Sequence, residues 1–274
     1  MHSRTWTVMA LLMAAAPLAG AADVRLATDD SWCREGRDWD RDGNRVRHCE
    51  VREATWRASG TVSADSRPNG GVHVKGWDRD EVRLRVKVTA MARSAEEARA
   101  IAQQVRVETE GGVRVTGPEN RSRDHQWSAS LRLDVPRGAD LDLQADNGGI
   151  HIEDFSGRAK FNTVNGGIHL DRVGGQLAGR TTNGGVHVNL SGSEWEGEGL
   201  DVTSTNGGVH LEIPSGYNAR LLTSTVNGGL HSDIPATSHR RRGHSGARIE
   251  TDLGRGGQLL RLTTTNGGLH IAQD

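Results

Sequence analysis

A mainly β protein, built as a β-solenoid-like stack of short two-strand coils, is the fold this sequence predicts. Three observations predict it: an Asn-Gly-Gly-x-His unit returns at near-regular intervals, a short alternating strand follows each return, and further turn residues divide each unit in two. The units begin at Asn147-Gly148, Asn165-Gly166, Asn183-Gly184, Asn206-Gly207, Asn227-Gly228 and Asn266-Gly267, and NGGVHV already stands at residues 69–74. Their spacings are 18, 18, 23, 21 and 39 residues. The last is close to two ordinary repeats and is expected to hide a degenerate one.

Taken in order, MHSRTWTVMALLMAAAPLAGAAD reads as a secretory signal over 1–21, cleaved after Ala21: a charged start, an apolar run and small residues at the end. A membrane anchor would need about 20 apolar residues, and Pro17 interrupts the run too early. The mature chain is expected to be soluble and periplasmic or secreted, with no membrane insertion. The cleavage site has no cysteine beside it, which argues against lipid attachment. Residues 22–54 form an N-terminal segment holding the two cysteines, Cys33 and Cys49, which an oxidising compartment would pair as a disulfide. A metal site with His48 is the alternative, and this stretch offers it too few ligands. Within the segment, DWDRDGN begins like a calcium loop with Asp38, Asp40 and Asp42, but Cys49 stands where a bidentate glutamate is needed; a solvated loop is the better reading.

Residues 55–145 lead into the stack. EVRLRVKVTAMA alternates as a long strand; SAEEARAIAQQV predicts a short amphipathic helix with Ser94 as N-cap and Glu97 completing a capping box; VRVETEGGVRV predicts strands around a turn. A helix here would cover an open edge of the first coils. Repeats then fill 146–274. In GGIHIEDFSGRAKFNTVN one strand begins at Gly149, a turn falls at Ser156-Gly157, and a second strand runs from Ala159 to about Val164. Asn-Gly between alternating strands also suits a hairpin meander, but many near-identical turns at one period favour stacking. SHRRRGHSG at 238–246 reads as an exposed loop.

The alternation sets the direction of the histidines. Ile150 and Ile152, Ile168 and Leu170, Val186 and Val188, and Val209 and Leu211 flank them, so if these face inward, His151, His169, His187 and His210 form an outward ladder on coils about 4.8 Å apart. The Asn-Gly-Gly turns are read as architecture, Asn and Gly meeting the left-handed geometry of a corner.

The succession SAEEARAIAQQVRVE, LRLDVPRGADLDLQADNGGIHIEDFSG and repeated T-x-NGG units, with Val135, Pro136 and Gly138 leading in, resembles the bacterial putative-adhesin β-strand-repeat family over roughly residues 55–271. The resemblance implies an exported β-solenoid-like domain of unknown function, linked by name to adhesion, with no established enzymatic activity. The sequence departs from that family in placing histidine after the turn seven times.

Two imidazoles on neighbouring coils would suit zinc, copper or nickel. Zinc, however, takes about four ligands in a tetrahedron, a flat ladder offers nitrogens on one side, and Glu153, Asp171, Asn189 and Glu212 are read as following the histidines without a fixed offset. Duplication of an exposed residue along with its turn accounts for the ladder without a ligand, so no cofactor is expected beyond a candidate zinc or copper ion. Threonines before the turns suggest an ice-binding ladder, but the units vary in length and strand propensity explains them. Glu153, Asp154 and Asp171 are the nearest approach to the paired carboxylates of a glycan-active enzyme, and no GxSxG, HExxH or phosphate loop is present. Acidic and basic residues balance at 35 and 34, which gives no field for nucleic acid. The sequence therefore predicts a non-catalytic, adhesin-like envelope or surface module presenting a rigid repetitive β face to a protein or glycan. A metal-binding protein using the histidine ladder is the alternative, and a glycan-active solenoid enzyme the third reading.

Overall fold

The computed structural model describes residues 22–35, 45–120, 125–234 and 246–273. The signal segment, DWDRDGN and all of SHRRRGHSG except Gly246 lie outside the described residues. The upstream elements are β1 (Arg25–Leu26), α1 (Ser31–Arg34), β2 (Val46–Arg57), β3 (Thr61–Asp65), β4 (Val72–Trp77), β5 (Glu81–Ala92), α2 (Ala95–Gln104), β6 (Arg106–Glu108), β7 (Val113–Thr116) and β8 (Gln126–Pro136). The repeats supply β9 (Asp140–Ala145), β10 (Ile150–Phe155), β11 (Arg158–Asn165), β12 (Ile168–Val173), β13 (Gln176–Asn183), β14 (Val186–Asn189), β15 (Gly199–Asn206) and β16 (Val209–Ile213). β17 (Ala219–Asn227), β18 (Leu230–Ser232), β19 (Ala247–Leu253), β20 (Leu259–Asn266) and β21 (Leu269–Gln273) complete them.

Two sheets, of eleven and ten strands among the described residues, enclose one core. Each coil runs up a strand of the second sheet, turns at Asn-Gly-Gly, and continues into a strand of the first. Like strands pair in parallel and in register: Ile150 beside Ile168, Ile168 beside Val186, Val186 beside Val209. Period-two alternation puts these side chains inside, where Ile150, Ile152, Ile168 and Val188 are fully buried. Each such burial removes enough apolar surface to stabilise by about 1.5–3 kcal/mol. The upstream unit β3–β4 joins the stack as well, β3 pairing with β9 and β4 with β10, so the NGGVHV at 69–74 is the first corner.

The coil order departs from the chain order at the far end. β20 lies between β15 and β17, and β21 between β16 and β18, so the C-terminal coil is inserted between its two predecessors. Among its described residues the 39-residue interval holds no degenerate repeat: β19 folds back antiparallel on β17, Ala219 facing Leu253. β19 occupies the free edge of β17, so the last coil pairs on that strand's other side.

At the near end, α2 packs Ala98, Ile101 and Ala102 against β2, β5 and β8, taking the layer that the second sheet vacates. Ser94 Oγ accepts the Glu97 N–H at 3.1 Å, as predicted, while the Glu97 carboxylate takes the N–H of Arg93, one residue earlier than a capping box requires. Beyond the one predicted helix, residues 31–34 form α1. Cys33 and Cys49 are bonded, which removes both from any metal site with His48. The bridge holds Trp32 between Lys87 and Arg132, and Arg132 is the neighbour of His73 in the sheet. No helix among the described residues is long and apolar enough to cross a membrane.

Candidate functional site

The Asn-Gly-Gly corner is what positions the outward side chains. Each asparagine amide donates to the asparagine before it in the stack: Asn147 to Asn69, Asn165 to Asn147, Asn183 to Asn165, Asn206 to Asn183, Asn266 to Asn206, and Asn227 to Asn266, at 2.8–3.1 Å. Behind it, Gly148, Gly166, Gly184, Gly207, Gly228 and Gly267 are glycine for a reason other than left-handed geometry, since none of them has a positive φ. A Cβ on Gly184 would lie 2.1 Å from the carbonyl oxygen of Gly166, and one on Gly166 the same distance from Gly148. The expected left-handed corner is therefore corrected to close backbone approach, the other service only glycine provides.

The threonines likewise belong to the corner. Two residues before the last five of these asparagines in the chain, Thr163, Thr181, Ser204, Thr225 and Thr264 point inward, each donating its hydroxyl to the first-glycine carbonyl of the adjacent coil at 2.7–2.8 Å. All five are buried. Strand propensity explains their tolerance but misses this bond, and these five buried hydroxyls cannot belong to a water-ordering row. The fixed offset from asparagine was the available signal.

On the outer face the histidines form one row in the order His73, His151, His169, His187, His210, His270, His231. The four residues predicted as a ladder are all in it, and His73, His270 and His231 extend it. Ring centroids are not evenly spaced: 4.5, 5.9, 5.8, 4.6, 4.7 and 5.0 Å along the row. A second row runs beside it, formed by Lys75, Glu153, Asp171, Asn189, Glu212 and Ala272. Each stands two residues behind its histidine, so the offset is fixed after all. The changing residue type had hidden it.

Glu153 Oε1 lies 3.3 Å from His73 Nε2, and Glu212 Oε1 lies 2.9 Å from His210 and 3.5 Å from His187. These make two groups whose ligand atoms fall within 4.8 Å of one another: His73, His151 and Glu153, and His187, His210 and Glu212. His169 belongs to neither. Of the predicted metal candidates, His151, His187 and His210 are thus grouped with carboxylates.

Residues 68–272 match the family model described as Toastrack DUF4097. The chain belongs to that family. The match runs from the first Asn-Gly-Gly corner through the last coil. No curated protein matches this Toastrack chain in sequence. Among solved structures it is similar to a putative cell adhesion protein from Clostridium sporogenes, 9% identical, TM-score 0.43, covering 82% of this chain and 100% of that one. A putative adhesin from Bacteroides fragilis is also 9% identical, with TM-score 0.30, covering 85% and 98%. A putative lipid binding protein from Parabacteroides distasonis is 10% identical, with TM-score 0.28 and the same coverages.

Glu153, Asp154 and Asp171 come together in this Toastrack chain, but around a cation. Arg172 bonds Asp154 at 2.7 Å, contacts Asp171 and lies 3.4 Å from Glu153, while Lys75 reaches Glu153 at 3.2 Å. Partial burial would raise the Glu153 carboxyl, yet Lys75 and His73 hold it below its ordinary value; the Arg172 bond does the same for Asp154. Both stay ionised near neutrality, which suits an ion-pair network and not a general acid.

Burial first, and the charge of neighbouring histidines second, lower the imidazoles of His151 and His169 below their ordinary 6.5. A base whose folded value is depressed binds fewer protons folded than unfolded. Its contribution is therefore full above pH 6.5 and is lost as pH falls through 6.5 toward the lowered value. In chelator, the melting temperature is expected to drop between pH 7.5 and 5.5, and to drop less when His151 and His169 are both changed to Gln. Equal losses in the two proteins would refute this.

Proposed function

We propose that this chain is a non-catalytic, exported surface or envelope module that presents its histidine face to an extended partner, in an adhesin-like manner. One observation carries the reading: parallel in-register coils repeat an outward histidine at the coil spacing, over a sheet whose corners are tied by the asparagine ladder. Such a face meets a repeating polymer, glycan or extended protein, many times at once, so weak contacts add. The ion-paired state of Glu153 and Asp154 supports binding without turnover.

The test is retention of the mature protein on immobilised envelope glycans and envelope proteins, in chelator. A His169→Ser/Asp171→Ser/Asn189→Ser variant should lose retention by at least about tenfold, while Lys160→Ser/Arg180→Ser on the opposite sheet should keep it. Retention indifferent to both changes, or release of new reducing ends, would overturn the proposal.

A further inference from the structure

The uneven spacing of the histidine row carries a second conclusion, independent of docking. The row is pinched to 4.5 Å between His73 and His151 and to 4.6 Å between His187 and His210, while gaps of 5.9 and 5.8 Å isolate His169; His210 and His270 are also close, at 4.7 Å, but Ala272 stands where a glutamate would be needed. At each of these two pinches a glutamate two residues along turns its carboxylate toward the rings. A flat ladder alone cannot surround an ion. The glutamate supplies a third ligand from outside the histidine row, leaving the remaining position to water.

The two groups are not equivalent. Around one tetrahedral zinc ion, ligand atoms about 2.1 Å from the metal stand about 3.4 Å apart. Glu212 Oε1 lies 3.5 and 2.9 Å from the Nε2 atoms of His187 and His210, on either side of that figure, and Glu153 Oε1 lies 3.3 Å from His73 Nε2, so the difference between the groups is one of neighbouring charge. The neighbours of Glu212 in the row, Asn189 and Ala272, carry no charge. Glu153 instead shares its oxygens with Lys75 at 3.2 Å and Arg172 at 3.4 Å, two cations that repel a metal and compete for its ligand.

We propose that His187, His210 and Glu212 form a binding site for a first-row divalent transition ion of the imidazole-preferring class, zinc(II) or copper(II), and that His73, His151 and Glu153 form a weaker copy. Two imidazoles and one carboxylate favour this class over calcium or magnesium, which take oxygen ligands, and copper(II) should bind tighter than zinc(II). All three side chains of the main site are partly exposed, at 42%, 30% and 36%, so the ion enters without opening the fold.

The test is calorimetric titration of the mature, tag-free protein with zinc chloride near pH 7.5. One equivalent should bind in the micromolar range or tighter. His210→Ala and Glu212→Gln should each weaken it by at least about tenfold, and His151→Ala should leave it unchanged. Lys75→Ala should strengthen a second equivalent by about tenfold, by freeing Glu153. No uptake, uptake insensitive to both His210→Ala and Glu212→Gln, or equal weakening by removal of any histidine in the row would overturn the assignment. Because face docking is measured in chelator on variants that keep all six ligands, either result can fail without the other.

Discussion

Gly184→Ala is expected to destabilise the protein by at least about 3 kcal/mol, the upper range for forced overpacking. The new Cβ would lie 2.1 Å from the Gly166 carbonyl oxygen, 2.5 Å from its carbon and 2.9 Å from the Gly167 nitrogen. All three are backbone atoms. The coil they belong to is held on both sides by the parallel ladder and the asparagine row, so it has no rotamer to change and can only move as a unit. Urea unfolding measures the loss. Gly229→Ala is the control, since a Cβ there meets nothing within 4 Å, and it should stay within about 0.5 kcal/mol. Gly184→Asn separates the two reasons for glycine. Asparagine tolerates left-handed backbone, so it would rescue a left-handed corner, but it cannot relieve a close approach and should be at least as damaging as alanine. A Gly184→Ala protein as stable as the Gly229→Ala control would refute the account of the corner.

Thr181→Val is expected to cost about 2 kcal/mol, within the range for leaving a buried polar group unpaired. Shape is nearly conserved, but the hydroxyl that bonds the Gly166 carbonyl at 2.7 Å is gone, at a residue with no exposed surface. Thr181→Ser keeps the bond and loses only a methyl, so it should cost about half as much. Thr182→Val, one residue on and partly exposed, should be nearly neutral. If the valine variants at 181 and 182 unfold at the same urea concentration, the buried hydroxyl contributes nothing.

Much was legible because coils repeat. Asn165 and Asn183 stand 18 residues apart in sequence and side by side in the fold, so a period in the chain becomes a neighbour in space. Ser94 as N-cap and the disulfide were legible for a different reason: the one depends on local spacing and the other on there being only two cysteines. The inward role of the hydroxyl residue two before five of the asparagines, and the fixed offset of the acidic residue behind Ile152 and Leu211, had their signal in the sequence as well. They were missed because the residue type varies along each row, Ser204 among threonines and Asn189 among carboxylates, while the position does not.

The sequence by itself determined the coil, its two strands, its inward aliphatics and the outward direction of the histidines, since these follow from a period of two and from turn residues. Only the tertiary structure decided the order of the coils, because β15 and β16 offer an acceptable edge to either later coil and β19 settles which one takes it. It also decided which histidines pair. The in-register stack makes every rung alike in backbone, and the side chain two residues behind decides which histidine pairs meet a carboxylate: Glu212 reaches His187 and His210, Ala272 offers none beside His270, and Lys75 and Arg172 hold Glu153.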